Sequence, residues 1–447
     1  MHPHLSLAQA LRVNSSSCIA FIGAGGKTTA MFQLARELPG PVIVTATSHL
    51  GAWQTELADK HIVNQTPAAL EELVHGWKGV ILVTGEIDKE RTKPIAGDLL
   101  SWLRQFCGDR SIPLLIEADG SREKPLKAWA EHEPPIPSFV DVIVQVVGLD
   151  GIGKALTADH VHRAEKFSGL SGLPFGETIT TSSLIRVLIH PEGGLKNIPH
   201  RARRVVLLNQ ADTPELQSLA QGLSQSLLAS YHSAIITSLK LKRIFAVNEP
   251  IAGIVLAAGE SSRYGQPKQL LDWKGEPFVR AVTKTALQAG LSPVVIVTGS
   301  NAASIESSVN DLDVSIVRNE QWKTGQAGSI KAAVKALVAP AAANVGGAIF
   351  LLADQPQLTT SVIRALVEKH AGGLYPIVAP MVIDRRANPV LFDRATFSDL
   401  LVLEGDVGGR AVFHKHRVEY LPWHDDRLLL DVDTPEMYQR LIADDTL

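Results

Sequence analysis

Cysteine is almost absent: Cys18 and Cys107 are the only two in 447 residues. Two thiols make no disulfide framework, and their spacing suits no metal site. Cys18 sits inside an apolar run, where a core role is the simplest reading. Excess charge is missing as well. Lys and Arg total 43 against 46 Asp and Glu, a net charge of −3, which argues against a bulk electrostatic partner such as nucleic acid or an anionic membrane. No apolar run reaches the roughly 18 residues that a membrane helix needs. The opening stretch MHPHLSLAQALRV has no basic region followed by an apolar segment, so the expectation is no signal peptide, no integral membrane segment and a cytoplasmic protein. Internal repeats and low-complexity tracts are also lacking.

What is present is an ordinary globular composition, 45% hydrophobic and 20% charged, in a chain long enough for two domains. Short Val- and Ile-rich runs alternate with helical patterns. One series is 19–22, 42–45, 80–84, 114–117, 140–147 and 205–208; a second is 254–258, 294–298, 314–317, 348–353 and 377–379. Such alternation predicts α/β architecture with parallel sheets covered on both faces, whose ligands sit at the carboxyl ends of strands. The basic stretch and Pro of KLKRIFAVNEP place the boundary near 248, giving domains 1–247 and 248–447. Each half opens with a strong strand running into a glycine loop.

The second loop, in GIVLAAGESSRYGQPKQLL (253–271), has the make-up of a triphosphate cradle. Gly259 and Gly265 let the backbone approach a ligand. Exposed N–H groups with Ser261 and Ser262 can donate to phosphate oxygens, while Arg263 and Lys268 bring positive charge as a planar fork and a point charge. An ordinary strand–helix turn is the alternative for this loop taken alone. Two further stretches favour the cradle. IFLLADQPQL ends a strand in Asp354, where a Mg²⁺ bridging a triphosphate would be held. LLLDVDTPEMY sets Asp431 and Asp433 on one strand face. Asp433 equally reads as a helix N-cap and Asp431 as a solvated edge carboxylate, but with Asp354 the pair points to a metal.

LAAGxSxRxGxxK, LADQP and DVDTPE together resemble the MobA-like nucleotidyltransferases, and most of all the molybdenum cofactor cytidylyltransferases. EQWKTGQAGSIKAAV, RRANPVLFD and LLVLEGDVGGRAVF extend the resemblance over about 250–442. It implies a Rossmann-like, doubly wound (GT-A-like) nucleotidyltransferase domain that uses Mg²⁺ or Mn²⁺ with CTP and molybdopterin as substrates. In that family pattern Gly259, Arg263 and Lys268 hold the triphosphate. Leu256, Ala257, Ala258, Ser261, Ser262 and Gly265 complete the nucleotide loop, with Gly328 and Ser329 by the nucleoside. Asp354 and Asp433 hold the metal, and Asn388, Pro389, Gly405 and Asp406 face the acceptor. Ala387 stands where the family usually has Gly. CTP rather than GTP follows from LAAG and DVDTPE, since guanylyl enzymes usually read LAGG and NxNTPE.

The first loop, in CIAFIGAGGKTTAMFQLA (18–35), has P-loop logic. Gly23, Gly25 and Gly26 shape a strand–helix turn, Lys27 reaches phosphates, and Thr28 and Thr29 follow. It departs from GxxxxGK[ST] because Phe21 stands at the first Gly. PLLIEADGSREKPLKA places Glu117 and Asp119 at a strand end, where a Mg²⁺-linked acid belongs. VVLLNQADT resembles the guanine-reading NKxD with Gln210 for Lys, though Asn209 and Asp212 equally read as helix caps. His132, His160 and His162 read as surface or loop residues rather than ligands.

GAGGKTT, EADGSREKPLKA, HEPPIP, VVGLDGIGK, VHRAEKF and LNQAD resemble the YqeC family, accessory proteins of selenium-dependent molybdenum hydroxylases, over about 10–235. This implies a P-loop-like, three-layer α/β domain that binds a second NTP, with or without hydrolysis, and transient contact with an apo molybdenum hydroxylase. Two other readings stay open: a nucleotidyltransferase with another NTP or acceptor, and a chaperone that delivers the pterin without catalysis.

Overall fold

The computed structural model describes residues 5–63, 65–260, 264, 266–339 and 344–444. The chain divides into two compact units, Met1–Asn248 and Glu249–Leu447. The first is built on a nine-stranded sheet of β1 (Cys18–Gly23), β2 (Val42–Ala46), β3 (Lys60–Val63), β4 (Val80–Thr84), β5 (Leu114–Glu117), β6 (Val142–Gly148), β7 (Arg203–Asn209), β8 (Ser233–Ser238) and β9 (Arg243–Asn248). Their order is β9-β8-β7-β6-β1-β5-β2-β4-β3. Every pairing is parallel except β8–β9.

β1, β2, β4, β5 and β6 are buried at every position, which is why they read as continuous apolar runs. Helix α1 (Lys27–Glu37) leaves the glycine loop directly, and α2 (Gly97–Arg110) sets Leu100, Leu103 and Phe106 on the sheet face that carries Cys18, Ala20 and Ile22. Cys18 and Cys107 are both buried in that layer, and burial pushes each thiol up to about 12. Helix α3 (Pro214–Leu227) packs Ala220, Leu223 and Leu227 against Val206, Leu208 and Ile236.

The second unit holds an eight-stranded mixed sheet: β10 (Ile251–Leu256), β11 (Val294–Thr298), β12 (Ser315–Arg318), β13 (Gly347–Leu352), β14 (Ile377–Val382), β15 (Arg385–Arg386), β16 (Val390–Asp393) and β17 (Val418–Pro422). The order is β12-β11-β10-β13-β16-β14-β15, with β17 beside β14. The β12-β11-β10-β13 half is parallel and β16 is antiparallel to both neighbours. Helices α4 (Phe278–Gln288) and α6 (Thr360–Ala371) cover one face, through Val279, Val282, Val362 and Leu366 on Val255, Ile296 and Leu351. Helix α5 (Gln326–Val338) covers the other, through Ile330, Val334 and Leu337 on Ile254, Val295 and Val297. The protein is therefore a mixed α/β molecule of two units, each with a largely parallel sheet core. Among the described residues no helix is long and apolar enough to cross a membrane.

Candidate functional sites

In the second unit the chain leaves β10 through Ala257 and Ala258, both buried, with Ala257 N donating to Val297 O. Gly259 and Glu260 then emerge into solvent. Ser261, Ser262, Arg263 and Gly265 lie outside the described residues. Lys268 returns to the carboxyl end of the sheet, where its ammonium lies 2.6 Å from Asp433 Oδ1 and 3.8 Å from Asp354 Oδ2. Asp354 follows β13, the hydrogen-bonded neighbour of β10, so loop and carboxylate converge because their strands are adjacent. Burial pushes the Asp354 carboxyl up, Lys268 pulls it down, and Asp431 and Asp433 push it up again; the net shift is upward.

Two glutamine amides clamp the chain around Asp431 onto this edge. Gln355 Nε2 donates to Asp431 Oδ1 at 2.8 Å, and Gln357 Nε2 donates to the carbonyls of Arg427 and Leu430 at 3.1 and 2.8 Å. The N-cap alternative for Asp433 is not realised. Helix α7 (Pro435–Asp444) is capped by Thr434, whose hydroxyl accepts from Met437 N. Among the described residues no group of three or more His, Cys, Asp or Glu side chains is arranged to hold a metal ion. Asp354 and Asp433 supply hard carboxylate oxygens converging on one cation, a donor set that fits Mg²⁺, which completes its shell with substrate phosphates and water.

The remaining residues expected here gather around the start of α5. Gly328 and Ser329 sit in its first turn, where Ser329 Oγ accepts from Asn319 Nδ2 at 3.0 Å. Asp406 Oδ1 accepts from Gln326 N at 3.1 Å, so this carboxylate caps the helix. Gly325, at φ +108°, brings the chains together: a Cβ there would lie 2.5 Å from Asp406 Cα. Gly405 is also left-handed, at φ +72°. Asn388 Oδ1 accepts weakly from Arg410, at 3.5 Å, and Pro389 leads into β16.

In the first unit β1 runs into Gly23, Gly25 and Gly26 at φ +95°, +79° and +119°. Gly26, the N-cap of α1, has no side chain to cap it, and the first turn lines a cleft of about 1400 Å³. Gly25, Gly26, Lys27, Thr28, Thr29, Glu117, Asn209 and Asp212 all line that cleft; Gly23 and Asp119 do not. Thr28 Oγ1 donates to Glu117 Oε2 at 2.8 Å, which joins the loop to the end of β5. Burial raises the Glu117 carboxyl, with Lys27 and the Thr28 hydrogen bond working against it. Asn209 Nδ2 donates to Gly25 O at 2.7 Å while its Oδ1 accepts from Leu239 N at 3.0 Å. The cap of α3 is Thr213, so neither Asn209 nor Asp212 fills that role.

Asp119 is the centre of a buried ionic chain. Its carboxylate accepts from Gly23 N (3.0 Å), Lys127 Nζ (2.9 Å) and Trp129 Nε1 (2.8 Å), and lies 3.3 Å from Lys27 Nζ. Lys127 reaches on to Glu133 at 3.4 Å, and Arg163 grips both Glu133 oxygens at 2.7 and 2.8 Å. Burial works to raise Asp119, and the two lysines outweigh it, leaving the carboxyl below its ordinary range. Lys27 Nζ also donates to Gly23 O at 2.9 Å. This chain joins three separated stretches, EADGSREKPLKA, HEPPIP and VHRAEKF. Sequence reasoning missed Lys127, Glu133 and Arg163 as working residues. The signal was there for Lys127, a lysine enclosed by Leu126, Ala128 and Trp129.

Comparison with known proteins matches the two halves of the chain to different families. The YqeC protein family model matches residues 19–165, and the MobA-like NTP transferase domain model matches 253–420. The uncharacterized protein YqeC of Escherichia coli K12 is 33% identical over 43% of this chain and 75% of its own length. Nicotine blue oxidoreductase of Paenarthrobacter nicotinovorans is 32% identical over 43% of this chain and 96% of its own. Molybdenum cofactor cytidylyltransferase of E. coli K12 is 26% identical over 41% and 91%. The chain thus joins a YqeC domain in its N-terminal half to a MobA-like NTP transferase domain in its C-terminal half.

Proposed function

We propose that residues 248–447 form a molybdenum cofactor cytidylyltransferase, moving CMP from CTP to the terminal phosphate of molybdopterin and releasing pyrophosphate. The observation that carries this reading is the Lys268 ammonium between Asp433 and Asp354 at the carboxyl ends of adjacent strands. A phosphate-reaching lysine and hard oxygen ligands suit triphosphate chemistry better than the redox reaction named for the P. nicotinovorans relative. The similarity to the E. coli cytidylyltransferase supports the choice of CTP and pterin.

In this mechanism a pterin phosphate oxygen attacks the α-phosphorus in line, a P–O bond forms, and the bond to the β-phosphate breaks. The nucleophile is already an anion, so no side-chain base is needed and the protein's contribution is positioning and charge neutralisation. Gly259, Arg263 and Lys268 hold the triphosphate, which requires Lys268 to exchange its carboxylate partners for phosphate oxygens. Asp354 and Asp433 would hold Mg²⁺ or Mn²⁺, which would supply Lewis-acid charge neutralisation. Gly328 and Ser329 border the nucleoside, and Asn388, Pro389, Gly405 and Asp406 border the acceptor.

Residues 1–247 form a P-loop-like accessory domain that binds a second NTP through Gly25, Gly26, Lys27 and Thr28, with Glu117 as the metal-side acid. The whole chain then serves maturation of a molybdenum hydroxylase, selenium-dependent ones included, in the cytoplasm and through transient contact with the apoenzyme. The test is pyrophosphate release by the purified protein with Mg²⁺ and molybdenum cofactor, comparing CTP, GTP and ATP. Cofactor-dependent release that favours CTP is the expected result. No release with any nucleotide, from protein that still binds the pterin, overturns the transfer reading in favour of a delivery chaperone.

A further inference from the structure

One corner of the N-terminal cleft has no part in the scheme above. The short parallel pair Leu126–Lys127 and Val161–His162 sets Lys127 opposite His162, and Ala128 N donates to His162 O at 3.0 Å. The turn that leads into this pair lies against the glycine loop. Gly25 N donates to Lys124 O at 3.1 Å, and a Cβ on Gly25 would come within 2.9 Å of Pro125 O. Arg122, His162 and Arg163 are thereby delivered to the cleft wall beside the place where the loop offers its N–H groups.

The corner gathers Arg122, Lys127 and Arg163 against Glu123 and Glu133. Burial and then Arg163, Lys127 and Arg122 hold the His162 imidazole down to about 4, with Glu133 acting against them; His162 is neutral at pH 7. Arg163 shares Glu133 with Lys127. Arg122 is exposed and has no ion-pair partner among the described residues. Arg122 and Arg163 are held at φ +50° and +64°, Arg163 as the N-cap of the helix Ala164–Ser171.

We propose that Arg122, His162 and Arg163 form a second oxyanion subsite of the N-terminal cleft, adjoining the glycine loop and taking a phosphate-type group. Arg122 supplies the uncommitted cation and the neutral imidazole a hydrogen bond, while Arg163, held by both Glu133 oxygens, fixes the position of the strand that carries His162. Two sources share this chemistry. One is the terminal phosphate of an NTP whose inner phosphates lie in the glycine loop; the other is the phosphate of a separate substrate. The first source rests on the nucleotide reading of that loop, the second does not.

Calorimetric titration of the full chain tells them apart, using ADP, β,γ-imido-ATP, and inorganic phosphate with and without saturating ADP. The same titrations on Lys27→Met subtract nucleotide held by the C-terminal half. If the terminal phosphate is the source, Arg122→Ala weakens the imido analogue by about tenfold or more and leaves ADP unchanged. If a separate substrate is the source, Arg122→Ala weakens phosphate binding to the ADP-bound protein by a similar factor and leaves both nucleotides unchanged. Arg122→Lys recovers part of either loss. Equal binding of all three probes by wild type and Arg122→Ala overturns the subsite. Wild type and Lys27→Met that bind nucleotide alike remove the glycine-loop reading instead, and phosphate alone then decides the subsite.

Discussion

A Cβ added to Gly23 would lie 2.2 Å from Val146 O, and one added to Gly25 would lie 2.4 Å from Gly148 Cα, while one added to Gly259 would, among the described residues, meet nothing closer than Gln269 Nε2 at 3.8 Å. The two glycine loops obey different constraints. In the N-terminal unit the glycines are needed by the fold itself, because β6 and the 120–125 turn press against them and their φ values are positive. In the C-terminal unit, among the described residues, nothing presses on Gly259 in the same way. The two lysines repeat the contrast. Lys27 and Asp119 are almost fully enclosed, at 3% and 0% side-chain exposure, whereas Lys268 at 11% faces Asp433 at 49%. One cation is locked in place among buried partners; the other sits between partners that water can reach.

The sharpest way to test this contrast is at the carboxylates. Asp354→Ala should lower cytidylyl transfer by about a thousandfold, measured as pyrophosphate release. Its melting temperature should not fall, because burial already opposes the ionised Asp354. Wild-type turnover in that variant would remove Asp354 from the site. Asp119→Ala should act on stability instead. It strands Lys27 and Lys127 in the interior at a cost of about 3–5 kcal/mol in urea unfolding. Asp433→Ala, at a half-exposed pair, should cost less than about 1 kcal/mol. Equal losses would break the comparison.

Gly25→Ala should destabilise by about 2 kcal/mol or more through the clash and the left-handed φ, and Gly259→Ala should stay within about 0.5 kcal/mol. The smallest effect is in pH. His162 and His232 are both held down to about 4, chiefly by burial, and His232 Nδ1 accepts from Arg204 N. The unfolded chain binds these protons near pH 6.5, so both histidines remove stability from the N-terminal unit as pH falls from about 6.5 toward 4. His162→Gln should flatten the slope of unfolding stability over that window.

Much of the sheet architecture was legible because β1, β2, β4, β5 and β6 are buried on both faces and read as unbroken apolar runs. Strands β3, β8, β9, β15, β16 and β17 escaped notice. β3, β9 and β17 are only partly buried, and KHIV, RIFAVN and VEYLP carry polar residues that dilute the signal. β15 is two exposed arginines. β8 and β16 are buried throughout, but SAIITS and VLFD hold only short apolar cores beside polar ends. Glu117 and Asp119 looked alike in the sequence, two carboxylates ending one strand. Only the fold separates them: Glu117 lines the cleft, while Asp119 turns inward to two lysines. That inward turn depends on the pairing of 126–127 with 161–162, a contact between short segments that no local pattern announces. The same holds for the Asn209 amide, whose bond to Gly25 O links β7 to a loop 184 residues earlier.

Both cysteines of the chain belong to the N-terminal unit, buried in one layer, with thiols that stay protonated at neutral pH. The C-terminal unit has none. A thiol-reactive dye therefore finds no target in the folded molecule, and each label it acquires timestamps an opening of the N-terminal unit alone. The chain carries its own chemical clock, able to time that half's excursions independently of the other's.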